Sequence, residues 1–154
     1  MKPLGQQLQL LEQILLSKNV VKTSVSKKSS HWHAAHSLSV IEKVLLITAG
    51  KIAAPEIKPQ GKPFLKWVIL KTGFIPRGKA KAPRAVTPLI IPPTIDSVNR
   101  ISNITLLKEE IMHIKPHPFF HPSLGKFDFD QTLRFLQIHT NHHLKIIKDL
   151  QKKS

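Results

Sequence analysis

Cysteine is absent from the 154 residues of the chain. That removes disulfides, thiolate metal ligands and a cysteine nucleophile together, so a metal site here must be built from histidine, aspartate or glutamate. The absence fits a reducing cytoplasm, which is the expected location. Acidic residues are scarce as well, 9 against 24 lysines and arginines, for a net charge of +15. None of them is placed as a general base: Asp128 and Asp130 read as helix-start residues, Glu109 and Glu110 as surface residues. Long apolar runs are missing. Nothing approaches the ~20 residues that span a bilayer. The leucines of the N-terminal stretch MKPLGQQLQLLEQILLSKN are interrupted by glutamines and Glu12, and no small-residue cleavage site follows. A soluble protein with no membrane partner is expected. Serine elbow, P-loop and dinucleotide fingerprint are all lacking.

The excess of positive charge admits an anionic partner. The lysines are dispersed, however, and no aromatic-and-glycine RNA-binding signature, zinc finger or leucine-zipper basic region goes with them. A non-catalytic basic helical bundle that binds nucleic acid or another anionic partner, its histidines merely structural, is therefore the alternative to the reading developed below.

What is present is helical periodicity. Leu4, Leu8, Leu11 and Leu15 form one apolar stripe over residues 4–18, with glutamines and Glu12 assigned to the other face. After the polar connection 18–30, Ser29 or Ser30 can cap a second helix, HWHAAHSLSVIEKVLLITAG, which Gly50 is placed to end. His36, Val40, Val44 and Ile47 share one face of it. Between Lys51 and Pro93 lie eight of the 12 prolines, a crossover whose length points to function. Within it FLKWVILKT reads as a short helix or an apolar patch. IPRGKAKAPRAVTP reads as a solvated basic loop, with Arg77, Lys79, Lys81 and Arg84 available to contact an anion or substrate. A third helix is expected from Thr94 to about Ile114, with Val98, Ile101, Ile104 or Thr105, and Ile111 inward. Pro116, Pro118 and Pro122 then forbid helix, and Phe119 and Phe120 are expected to plug the bundle end. The final helix starts at Asp128, paired with Gln131 in a capping-box-like arrangement, and runs to about Lys153. No strand is expected. The order of helices and crossover is that of a single-domain, all-α four-helix bundle over residues 1–154.

Histidines occupy the inner face of the last helix. Taking His139 as the origin, His143 lies about 40° round, with Leu136, Leu150 and Ile146 about 60°, 20° and −20° away, whereas His142 falls at the stripe's edge near −60°. Two imidazoles at i and i+4 stand one turn apart, the spacing by which one helix gives two ligands to one ion. A third ligand from a facing helix leaves an open position for water or substrate. Among the remaining histidines (His31, His33, His36, His113, His117, His121) only His36 sits on the buried arc of the second helix. His33, one turn earlier, reads as a reserve ligand, a supporting group or an exposed side chain. His142 and His33 are the candidates for proton transfer.

WHAAHSLSVIEKV and HPFFHPSLGKFDFDQTLRFLQIHTNHHLKIIKDL together resemble the DinB/YfiT-like family of metalloenzymes, closest to a bacterial subgroup of unknown function. IPRGKAKAP looks like a loop of that subgroup. The resemblance implies a four-helix bundle with a long crossover. It also implies a metal site that joins His36 to the H-x-x-x-H pair His139 and His143. Trp32 stands closer to His36 than the tryptophan of many family members stands to its histidine, which keeps His33 open beside His36. The resemblance further implies zinc, nickel or a similar divalent ion, a low-molecular-weight thiol as partner in some members, and a possible homodimer. The function expected is that of a metal-dependent enzyme that activates water or a thiol in hydrolase or thiol-transferase chemistry on a small-molecule substrate.

Overall fold

A computed structural model of the chain describes residues 1–54, 62–78, 87–88 and 94–152. Leu4, Leu8, Leu11 and Leu15 are all buried, as one stripe of the helix α1 (Leu4–Leu16). That helix stops at Ser17, whose hydroxyl donates back to the Ile14 carbonyl at 2.7 Å, short of residue 18. Gln7 departs from the expected polar face. It is fully buried, and its amide donates to the Gln137 carbonyl at 3.0 Å. At 100° per residue it stands about 60° from Leu4, at the margin of the stripe, where a neighbouring helix covers it.

The second helix, α2 (Ser30–Thr48), is capped by Ser29, whose hydroxyl accepts from the Trp32 backbone N–H at 3.1 Å. Every residue from His33 to Leu38 is buried, because α2 packs on α1, α4 (Thr94–Ile111) and α5 (Phe129–Gln151). Gly50 ends its run in the left-handed region at φ 71°. A Cβ there would meet the His117 ring at 3.0 Å, so glycine serves both the turn and the close approach of the 117 loop. The His117 backbone N–H donates to the Thr48 carbonyl, and Arg100 ties α4 to α2 through Glu42 at 3.1 Å. On α4, Ile104 and Ile111 face inward and Thr105 faces solvent. The helix ends at Ile111, three residues short of the expected limit. The Val98 side chain and the sequence before Thr94 lie outside the described residues.

The proline-rich crossover contains a helix, α3 (Pro63–Thr72), with Pro63 in its first turn and Gly73 as a left-handed cap. It packs on α5, and the Lys66 ammonium donates to the Lys126 carbonyl at 2.7 Å. The expectation of no strand fails at one place. Phe119–His121 (β1) and Gly125–Phe127 (β2) form an antiparallel hairpin, with Phe119 opposite Phe127. The plug is thus a folded hairpin: Phe119 and Phe127 are buried and cluster with Phe135 of α5, while Phe120 is half-buried. Among the described residues the chain is predominantly helical, with five helices and this one hairpin. No described helix is long and apolar enough to cross a membrane.

Asp128 starts α5 as expected, its carboxylate accepting from the Gln131 backbone N–H at 2.8 Å. The reciprocal half of the capping box is absent: the Gln131 side-chain oxygen accepts from Lys66 at 3.3 Å. Replacing Asp128 with alanine should cost about 1 kcal/mol. In a chain of this size that lowers the melting temperature by roughly 2–4 °C, measurable by circular dichroism. An unchanged midpoint would mean that Lys66 and the hairpin fix the helix start without the cap.

Candidate metal centre

The last helix carries its histidines where the angular count puts them. His143 is buried, His139 is half-buried, and His142 is half-buried at the edge. The flanking stripe residues Leu136, Ile146 and Leu150 are all buried. Because α5 lies against α2, the pair meets His36, which is 3% exposed. The His36 ring centroid stands 4.8 Å from that of His143 and 5.3 Å from that of His139. The three side chains each offer a ring nitrogen, and these nitrogens all lie within 4.8 Å of one another. Trp32 stacks on His36 at 5.0 Å with an interplanar angle of 11°, and its indole N–H donates to the Pro88 carbonyl, which fixes the plate against which His36 lies.

The two nitrogens contributed by α5 are close enough to share an ion. The Nε2 atoms of His139 and His143 approach to 3.3 Å. Two ligands on a tetrahedral ion at zinc–nitrogen lengths of about 2.0–2.1 Å stand roughly 3.3–3.4 Å apart. Nδ1 of His139 is buried without a hydrogen-bond partner, so the ring is only half satisfied by protein groups, through its Nε2 contact with His143. A structural pair would have both rings satisfied by protein groups. The chemistry of the donor set is also right, three imidazoles with no thiolate, which suits zinc, nickel or another borderline divalent ion.

Burial keeps the His139 and His143 imidazoles of the site in the neutral form. Burial, followed by the fields of His36, His142 and His121, holds the His139 imidazole well below its usual range of protonation. His143 is lowered in the same way by burial and then by its neighbours His139, His36, His33 and His142. Both are neutral at pH 7, the form that binds metal. His33 is lowered to about 4, mainly by burial, with further contributions from His36, His142, Arg77 and Lys28. His142 is lowered by burial and by Arg77, against the opposing effect of its hydrogen bond to the Ile75 backbone. The groups acting on these rings are other histidines and cations, so an ion held here would keep its charge uncompensated by protein carboxylate.

No family model, curated protein or solved structure matches this chain. The centre is defined by its own residues. His33, left open between three roles by sequence, is 5% exposed and joined to His143: their Nδ1 atoms stand 2.9 Å apart. Its Nε2 meets the Ser26 hydroxyl at 2.9 Å. Sequence reasoning missed Ser26 altogether, since it lies in a connecting loop with no recognisable spacing. His121 comes near through Phe135, its ring 5.2 Å from that phenyl, whereas His117 is exposed beside Gly50. Of the basic loop, Arg77 is described. It forms an ion pair with Asp149 at 2.8 Å and lines a small cavity of about 60 Å³ with Asn141, His142 and Lys145. Lys79, Lys81 and Arg84 lie outside the described residues.

Proposed function

We propose that this chain is a DinB-like four-helix-bundle metalloenzyme with a mononuclear divalent centre at His36, His139 and His143. The observation that carries the reading is the 3.3 Å approach of two buried-face Nε2 atoms, reinforced by the third imidazole from the facing helix. The three imidazoles would hold a zinc or nickel ion, which when bound would supply Lewis-acid activation of a water or a thiol. The chain's own residues prepare that site. The Trp32 plate and the closing face of α5 exclude bulk water from one side of His36. His142, held to the Ile75 backbone, lies at the edge of the stripe beside the small cavity. Its ring also stands 5.2 Å from that of His143, which makes it the candidate to exchange a proton with a molecule bound at the centre. Arg77 and Lys145 line the same cavity and are the described cations that could meet an anionic substituent of the substrate there, Arg77 in exchange for its ion pair with Asp149. The reaction class best supported is hydrolysis or thiol transfer on a small molecule.

The test is direct. Protein purified without a histidine tag, stripped with chelator and titrated with Zn²⁺, Ni²⁺ or Co²⁺ should take up one ion per chain. Co²⁺ should give the intense visible absorption of a low-coordinate site. At an ion concentration 100 times Kd, the gain in stability is about 2.7 kcal/mol, or roughly 5–10 °C in melting temperature. No uptake and no thermal shift with any of the three ions would dispose of the reading.

A further inference from the structure

Resting on the metal reading above, we infer that His33, seated by Ser26, is a positioning residue that sets the tautomer of His143 and so its ability to bind the ion. The three groups form a line from the centre to the loop before α2. His143 Nε2 faces His139, His143 Nδ1 stands 2.9 Å from His33 Nδ1, and His33 Nε2 stands 2.9 Å from the Ser26 hydroxyl. A neutral imidazole carries one proton, and that proton must lie between the two Nδ1 atoms for them to be hydrogen-bonded. If His33 supplies it, His143 carries its own proton on Nε2 and its ligand lone pair is blocked. If His143 supplies it, His33 Nδ1 accepts, His33 Nε2 donates to Ser26, and His143 Nε2 is left bare toward His139. Only the second direction makes His143 a ligand through Nε2.

The surroundings accommodate that direction. The Ser26 hydroxyl oxygen accepts from the Lys28 backbone N–H at 3.0 Å, which holds it in place with a lone pair open to His33 Nε2–H, and the need for a bare His143 Nε2 toward the ion selects this arrangement over the one in which the Ser26 O–H donates to His33 Nε2. Lys28 in turn lies over the Trp32 ring at 5.2 Å, anchoring the loop to the same helix turn that presents His33 and His36. The buried Ser37 hydroxyl donates to the His33 carbonyl at 2.9 Å, at the base of the same turn. His33 is therefore held at both ring nitrogens and does not compete for the ion. A partner on the far nitrogen of a liganding histidine orients the ring and raises its basicity, and its loss typically costs about 10–100-fold in metal affinity.

The experiment compares wild type, His33→Ala, His33→Asn and Ser26→Ala by chelator competition for Zn²⁺, with circular dichroism as a check on folding. Long-range ¹H–¹⁵N spectra of the histidine rings are recorded in parallel on the ion-free protein. His33→Ala should bind Zn²⁺ about 10–100-fold more weakly. His33→Asn should recover most of the loss, because its side-chain oxygen can stand where Nδ1 stood and accept the His143 proton. The spectra should report His143 protonated at Nδ1 in wild type, and a mixture of tautomers in His33→Ala. Wild type that binds Zn²⁺ no more tightly than His33→Ala overturns this inference and leaves the metal centre standing. An Nε2–H tautomer of His143 in wild type overturns it whether or not an ion binds. Wild type that shows the Nδ1–H tautomer but takes up no ion refutes the metal reading and, with it, the role assigned to His33.

Discussion

Replacing His143 with alanine is expected to weaken divalent-ion binding by more than about 100-fold, beyond what losing an outer partner costs, while His142→Ala changes it by less than about threefold. The two residues are adjacent in sequence, both histidines and both on α5, so composition and helix propensity cannot separate them. Position does. His143 stands where three lines cross: Nε2 lies 3.3 Å from His139 Nε2, Nδ1 lies 2.9 Å from His33, and its ring is 4.8 Å from that of His36. His142 turns away to the Ile75 backbone and the cavity at Arg77. The ion-free His143→Ala protein should also lose some stability, because His33 Nδ1 is left buried without a partner, at a cost of about 1–3 kcal/mol. Part of this is offset by no longer burying a second polar ring. Chelator competition with Zn²⁺ and urea denaturation of the stripped proteins read the two effects separately. Equal losses of affinity in the two variants would contradict the assignment of His143, and not His142, as a ligand.

That discrimination was legible from angles alone, because a helix of 23 residues repeats its geometry often enough for small offsets to matter. The same holds for the Asp128 and Ser29 caps, where a short polar side chain precedes an apolar period, and for His36 on the buried arc of α2. The hairpin was not legible. Strands of three residues allow no alternation to be counted, and the prolines around them read only as a prohibition on helix. Gln7 was missed since its burial depends on the Gln137 carbonyl, contributed by the opposite end of the chain. His33 shows the limit most clearly. Its place one turn before His36 is sequence information. Its bond to a residue 110 positions away depends on two side-chain rotamers and on how α2 lies against α5, neither of which any periodicity encodes. The expectation of a DinB-like site named His36, His139 and His143, which the structure does bring together, but it carried nothing about Ser26 or the line that joins it to the group.

The ion-free protein should lose stability steeply between pH 6.5 and pH 4, the window set by the depressed protonation of His33 and His121. Both are lowered to about 4 from the ordinary 6.5, His121 by burial alone and His33 chiefly so. In this window the unfolded chain takes up protons that the folded chain refuses. Folding is thus favoured fully above pH 6.5, and the advantage shrinks as pH falls until the folded rings also protonate. Each of these two groups is worth about 2 kcal/mol once solvent screening is allowed for. His139, His142 and His143 are lowered in the same sense, which adds to the loss. A total on the order of 5 kcal/mol is comparable to the whole stability of an ordinary domain, so acid should unfold the chain as pH falls toward 4. Urea denaturation with chelator present, at pH 7.5 and pH 4.5, measures the effect. His121→Phe provides the control, since it keeps an aromatic ring against Phe127 and Phe135 and removes the titrating group. That variant should show a shallower pH dependence than wild type, and by more than the loss of the Ser123 backbone hydrogen bond to His121 can account for at neutral pH. A denaturation midpoint unchanged between the two pH values would mean that these rings protonate in the folded state, and that the centre is open enough for water to solvate them.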